Sequence, residues 1–428
     1  MKARYLIATA LVAMLAAAGC SSSKSGGGSQ TASGGSKTLT VWLMDGSAPD
    51  KLVADLDTEF QAAHAGVTVK YAKQQWNGIQ EKLTTALASN NPPDVIELGN
   101  TQTAKFASSG ALADLSGKVS DLGGQNWLKA LTESGAWQGK QFGVPFYAAN
   151  RVVIYRTDLF KKAGLPTDRA EVAKLWSTWA DYVNTGKTYM AKAPAGSSFM
   201  DTASGMFNAM VGASPNQYYD QSGNTIYDTN PAVKDAWNLA MQAIAGKETA
   251  KLKQFDTAWN QAFSTGAFAT IAAPSWMIGY IQGQAGAKGA GKWDVTTGPG
   301  GTGNWGGSYL AVPTASKHIP QAVDLAKWLT APAQQVKLFL KQGSFPSSTT
   351  AIADPQVVSA TNKYFNNAPI GQIFGDSAKN LPVAILGPKD GVIKDTFSTA
   401  IQRVEQQGMS PDASYSKFLA DIKNALDS

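Results

Sequence analysis

The sequence predicts an α/β fold in which a parallel sheet carries helices on its faces. Three observations predict it. Apolar residues switch from period two to helical spacing and back within the N-terminal part of the chain. The chain is 428 residues long with 43% hydrophobic residues, and only 16% of residues are charged. That length and apolar content leave room for two domains with real cores and set aside intrinsic disorder.

The elements follow in order. Leu39, Val41 and Leu43 alternate as a strand; Leu52, Val53, Leu56 and Phe60 then recur at helical spacing until Gly66. Val67, Val69 and Tyr71 alternate again as a second strand. Ile79, Leu83 and Leu87 mark a second helix, which Asn91, Pro92 and Pro93 stop, and Asp94 to Leu98 follows as a buried strand. Three strands separated by two helices make a βαβαβ unit and therefore a parallel sheet. Ligands of such sheets bind beyond the C-terminal strand ends. Here those ends are Met44-Asp45-Gly46, Gln74-Gln75-Trp76 and Gly99-Asn100-Thr101.

Composition excludes several chemistries. The formal charge is +6, or +4 without Lys2 and Arg4, and is too mild and scattered for nucleic-acid binding. A single cysteine forbids an internal disulfide, and the two histidines, His64 and His318, leave little for a zinc site or a Ser-His triad. His64 ends the first helix and His318 opens another, as surface or capping residues do.

Lys2 and Arg4 precede an apolar run from Tyr5 to Ala18 that is too short to cross a bilayer and reads as a signal peptide, residues 1–19. Ala17-Ala18-Gly19-Cys20 resembles the lipobox of bacterial lipoproteins, with Ala17 where Leu is commonest. The resemblance implies cleavage before Cys20 and its lipidation; a plain secretory cleavage site is the alternative. Residues 20–37, rich in Ser and Gly, form a flexible tether. The expectation is a body anchored by lipid at the extracellular face of the cytoplasmic membrane, or on the periplasmic side in a Gram-negative source.

Four motifs carry a wider resemblance. The first runs from Gly139 through Phe142, Gly143, Pro145 and Tyr147, then Val152 to Tyr155, then Asp158 to Leu165. The others are Phe263 to Phe268 leading to Trp276, then Gly307 to Pro313 with Ser316 and Lys317, then Gly343, Phe345 and Pro346. In this order they resemble the extracellular solute-binding proteins of bacterial ABC importers, in the branch that includes maltose-binding proteins, over nearly all of the chain beyond the tether. The resemblance implies a two-lobe periplasmic-binding-protein-like fold with a hinge of about three crossings and a ligand cleft between the lobes. It maps one lobe to 38–147 plus 309–342 and the other to 151–304 plus 347–428. It also implies a monomeric binding protein without catalysis or cofactor, which closes on its ligand and docks on ABC permease subunits.

A pyranose has an apolar face of C–H bonds and a rim of hydroxyls, so a sugar site needs aromatic platforms beside planar polar groups. The candidates are Trp76 beyond the second strand and Trp276, where the family often carries a stacking aromatic. Trp305, Tyr147, Asn150 and Phe345 flank the crossings, and Asp45 and Asn100 lie at strand ends. Asp45 also suits a turn with Gly46, Asn100 a helix cap, and Trp305 burial against the hinge. Trp42, Trp127, Trp176, Trp179, Trp237 and Trp328 sit in apolar periodic segments and read as packing. Stretches 41–47 and 74–83 resemble actinobacterial importer components for chitobiose or related N-acetylglucosamine oligosaccharides. Maltose-type, xylo- and cello-oligosaccharides stay open.

Rival readings are a secreted glycoside hydrolase with a carboxylate pair that includes Asp45, and a ferric-iron binder using Tyr218 and Tyr219. Gly286 to Trp293 imitates a phosphate loop but has Trp293 where Ser or Thr is needed, and Gly298 to Gly303 leads into a strand. Both are expected to form one mobile surface connection.

Overall fold

The computed structural model describes residues 37–76 and 78–427. The expected signal peptide and, except for Lys37, the expected tether with Cys20 lie outside the described residues.

The N-terminal unit forms as its periodicity requires: β1 (Lys37–Met44), α1 (Asp50–Ala63), β2 (Val67–Gln74), α2 (Ile79–Ala88), β3 (Val95–Gly99) and α3 (Asn100–Ser108). β1 pairs in parallel with both β2 and β3. The apolar stripe of α1, Leu52, Val53, Leu56 and Phe60, is buried against this sheet. Each such side chain contributes about 1.5–3 kcal/mol on burial.

Three further strands make the sheet mixed rather than wholly parallel. Its order is Phe345–Pro346, Gly143–Ala148, Ser308–Ala311, β3, β1, β2, and Ser308–Ala311 runs antiparallel to both neighbours. A second sheet has the order Trp293–Thr296, Arg151–Arg156, Phe268–Pro274, Ser198–Met200, with only the last pair parallel. Each sheet is the centre of one lobe. One core holds Leu39, Phe60, Val144 and Leu310; another holds Phe160, Tyr182, Phe207, Phe397 and Phe418.

The chain crosses between the lobes in adjacent segments. The Arg151 N–H donates to the Gly303 carbonyl and the Trp305 N–H to the Ala149 carbonyl, both at 2.9 Å, while Phe345 pairs with Ala148. A third core, including Ala148, Val152, Met277, Tyr309, Phe339 and Phe345, straddles this junction. The buried Arg151 guanidinium donates to the carbonyls of Ala209 at 2.8 Å, Pro299 at 3.3 Å and Gly301 at 3.2 Å, and lies over the Trp179 ring at 4.7 Å. Burial lowers its pKa to about 10, so it stays charged at neutral pH.

Several expectations are settled here. The glycine-rich run is not one surface connection: the buried strand Trp293–Thr296 divides it, because Trp293 packs on Phe263 and Phe268. The turn after that strand is wrapped on Arg151 and leads to Ser308–Ala311 rather than to a helix. Trp127, Trp176, Trp179 and Trp237 are buried, and Trp42 and Trp328 pack half-buried against cores. His64 caps α1 and stacks on Phe60 at 4.0 Å, and His318 precedes the helix Ile319–Leu329. Tyr218 and Tyr219, the residues of the iron reading, are buried in the core around Phe397, on which Tyr218 stacks at 5.9 Å.

Candidate functional site

Between the lobes lies a cavity of about 420 Å³, a size ordinary for a small-molecule site. The first lobe contributes Trp76 beyond β2, the starts of α2 and α3, and Tyr147. The second contributes Ser204 and Asn208 from the helix Ala203–Val211, the loop residues Lys253, Gln254 and Phe255, and Trp276 ahead of the helix Met277–Ala285. Lys394, Asp395, Ser398 and Gln402 project from the helix Asp390–Gln407, and Trp305 and Gly306 come from the hinge.

Trp76 and Asn100 both line the cavity, because the polypeptide leaves β2 and β3 on the same edge. Trp76 lies over Gly99, where a Cβ would stand 3.6 Å from the indole, an ordinary van der Waals contact. Asn100 is the first residue of α3 rather than its cap, a place that Gly99 takes; its Oδ1 accepts the Thr101 N–H at 2.8 Å, and the residue lines the cavity.

Tyr147 lines the cavity, but its hydroxyl turns into the sheet, donating to Glu97 Oε1 at 3.0 Å and lying 3.2 Å from Ser47 Oγ. Glu97, fully buried in β3, also accepts from the Met44 N–H at 2.8 Å, Ser47 Oγ at 2.6 Å and Ser308 Oγ at 2.5 Å. Burial pushes its carboxyl up and these donors oppose the shift. This network ties β1, β3 and two further strands together directly beneath the site.

Trp276 faces the cavity half-buried, stacked on Phe255 with centroids 6.3 Å apart and planes at 22°, and edge-on to Tyr280 at 6.1 Å. Trp305 is half-buried at the hinge and also lines the cavity.

Three expected ligand residues belong elsewhere. Asp45 is exposed, is not part of the lining, and accepts from Gln75 Nε2 at 3.3 Å, with its charge acting on Tyr280 beside Trp276. Asn150 is fully buried in the hinge and donates through Nδ2 to the Phe374 carbonyl at 2.7 Å. Phe345 is fully buried between Phe339 and Phe374 as part of the junction core. Proximity to a crossing located these two; it carried no information on which way their side chains point.

Sequence reasoning missed the loop 253–255 and the helix Asp390–Gln407. Polar residues at 394, 395, 398 and 402 look like any solvated helix face. Phe255 gives no turn signal, yet adopts φ +69°.

The charged residues of the wall balance, Glu81 and Asp395 against Lys253 and Lys394. Loss of water raises the Asp395 carboxyl, with Glu81 adding to the shift, and lowers the Lys394 ammonium. Among the described lining residues there is no histidine or cysteine. The arrangement is thus suited to holding an uncharged, hydroxyl-rich ligand between rings and amides.

A family model described as bacterial extracellular solute-binding protein matches residues 55–366. The chain is 43% identical over 177 residues to the diacetylchitobiose binding protein of Streptomyces coelicolor, a match covering 40% of this chain and 41% of that protein's length. It is 25% identical over 380 residues to the lactose-binding protein of Rhizobium radiobacter, covering 85% and 86%. Among solved structures, an extracellular solute-binding protein of family 1 superposes with TM-score 0.80 at 37% identity, covering 91% of this chain and 99% of the other. The Bifidobacterium animalis subsp. lactis binding protein in complex with β-1,6-galactobiose shares the fold, with TM-score 0.77 at 20% identity over 91% and 97%.

Proposed function

Since the chain belongs to the bacterial extracellular solute-binding protein family, we propose that its inter-lobe cavity captures an uncharged oligosaccharide and delivers it unaltered to the permease subunits of an ABC importer. The observation that carries this reading is the wall itself: Trp76, Phe255, Trp276 and Trp305 enclose one cavity together with side-chain amides from both lobes. Rings cover the C–H faces of successive sugars, amides bond the hydroxyl rims, and a ligand touching both lobes favours the closed state.

Of the residues expected from sequence, Trp76, Asn100, Tyr147, Trp276 and Trp305 are the proposed ligand contacts, joined by Gln102, Gln254 and Phe255. The lobes are taken as 38–147 with 309–342 and 151–304 with 347–428. A monomer tethered through lipidated Cys20 at the outer face of the membrane completes the proposal. The names of the sugar-binding relatives, diacetylchitobiose and lactose among them, support a disaccharide or short oligosaccharide.

Thermal melting with diacetylchitobiose, lactose, maltose, cellobiose and xylobiose tests this. A sugar at a hundredfold its Kd stabilises by about 2.7 kcal/mol. A rise with one sugar class supports the reading, and chromatography that recovers the sugar intact separates binding from the glycoside hydrolase alternative. No rise with any sugar contradicts it.

A further inference from the structure

Asp201 follows the strand Ser198–Met200, is 3% exposed and does not line the cavity. Its Oδ2 accepts from Trp259 Nε1 at 2.9 Å and from Gln254 Nε2 at 2.8 Å. An indole N–H can only donate. As a carboxylate Oδ2 only accepts, and the Gln254 atom that faces it is then the amide nitrogen. Gly205 makes room for that amide: a Cβ there would lie 2.6 Å from Nε2. Gln254 is thus held in one orientation, with its Oε1 left for the cavity that the residue lines.

The opposite wall is fixed the other way by the same logic. Asn100 Oδ1 accepts the Thr101 N–H at 2.8 Å, and Gln102 Oε1 accepts the Gly99 N–H at 2.9 Å. Backbone N–H groups also only donate, so in both residues the amide oxygen is turned to the backbone and the NH₂ away from it.

We propose that the cleft reads hydrogen-bond polarity: Asp201 is a positioning residue that makes Gln254 an obligate acceptor, while Asn100 and Gln102 are obligate donors. The ligand then turns a donating hydroxyl or N–H toward Gln254, and an acceptor such as an acetamido carbonyl or an ether oxygen toward Asn100 and Gln102. This rests on the sugar reading above and adds the orientation in which the sugar lies.

Calorimetric titration of the full chain with diacetylchitobiose and its set of monodeoxyfluoro derivatives tests it, since C–F cannot donate. The wild type should reject fluorine by about tenfold or more at the position facing Gln254. In Gln254→Leu that penalty should fall to within about twofold while penalties elsewhere stay. In Asp201→Ala the same ratio should collapse because the freed amide turns its NH₂ to the fluorine. The ratio of two affinities on one variant is insensitive to a general loss of stability, and Gln254→Leu covers the case in which Asp201→Ala does not fold. Binding of the parent sugar with an undiminished fluorine penalty in Gln254→Leu, or with no penalised position in the wild type, overturns this inference alone. A parent sugar that does not bind removes diacetylchitobiose as the ligand and this inference with it.

Discussion

Phe255 stacks on Trp276, with ring centroids 6.3 Å apart and planes at 22°, from a backbone held at φ +69°. A bulky residue in the left-handed region costs of order 1–3 kcal/mol and persists only where its surroundings over-determine it. Lys247 and Lys251, in the same connection, also have positive φ, at +56° and +57°. The segment that carries Lys253, Gln254 and Phe255 into the cleft is therefore strained, and Asp201 ties it down.

Phe255→Gly and Phe255→Ala should separate strain from stacking. Both variants lose the ring and should weaken sugar binding by about tenfold. Glycine tolerates φ +69° and alanine does not, so Phe255→Gly should be more stable than Phe255→Ala by about 1 kcal/mol in urea unfolding. Equal stabilities would show that the backbone at 255 is unstrained.

The first three strands and two helices were legible because their apolar residues follow the period of the element that buries them. The alternation at Leu39, Val41 and Leu43 and the helical spacing at Leu52, Leu56 and Phe60 admit few other arrangements. Trp76 and Asn100 followed from topology, since parallel strands expose their C-terminal ends on one edge. Gln254 and Phe255 were illegible because their placement depends on Asp201, some fifty residues earlier, and on a backbone conformation that neither residue type signals. Asn150 and Phe345 were misplaced because adjacency to the hinge does not fix whether a side chain enters the cleft or the junction core.

Glu97→Gln should destabilise the first lobe. The carboxylate takes donors from Met44, Ser47, Tyr147 and Ser308, and an amide NH₂ would have to face one of them. A loss of about 2–4 kcal/mol in denaturant unfolding is expected. A loss below about 0.5 kcal/mol would mean the network contributes little.

Arg151→Lys should also be costly despite keeping the charge. One ammonium cannot reach the carbonyls of Ala209, Pro299 and Gly301 while covering Trp179, so buried carbonyls at the crossing lose their donors. About 2–4 kcal/mol of stability should be lost, and Arg151→Met should be no better.

Glu248 provides a pH-dependent test. Both carboxyl oxygens are buried without a hydrogen-bond partner, and burial, opposed by the charge of Lys187, pushes the pKa up to about 8. The folded state then holds this proton to higher pH than the unfolded chain, so its contribution is full below the unfolded carboxyl pKa and is lost as pH rises through about 8. Glu248→Gln, which cannot ionise, should flatten the fall in melting temperature between pH 5 and pH 9. An unchanged slope would place the titration elsewhere.

The most direct measurement is a calorimetric titration of the wild type and Trp276→Ala with diacetylchitobiose and lactose, followed by chromatography of the sugar. Saturable binding at one site per chain, recovery of the intact disaccharide, and at least a tenfold loss in Trp276→Ala, roughly 1.4 kcal/mol, are the predicted results. Undiminished binding in Trp276→Ala, no binding of either disaccharide, or appearance of monosaccharide would contradict capture of these sugars in the inter-lobe cavity.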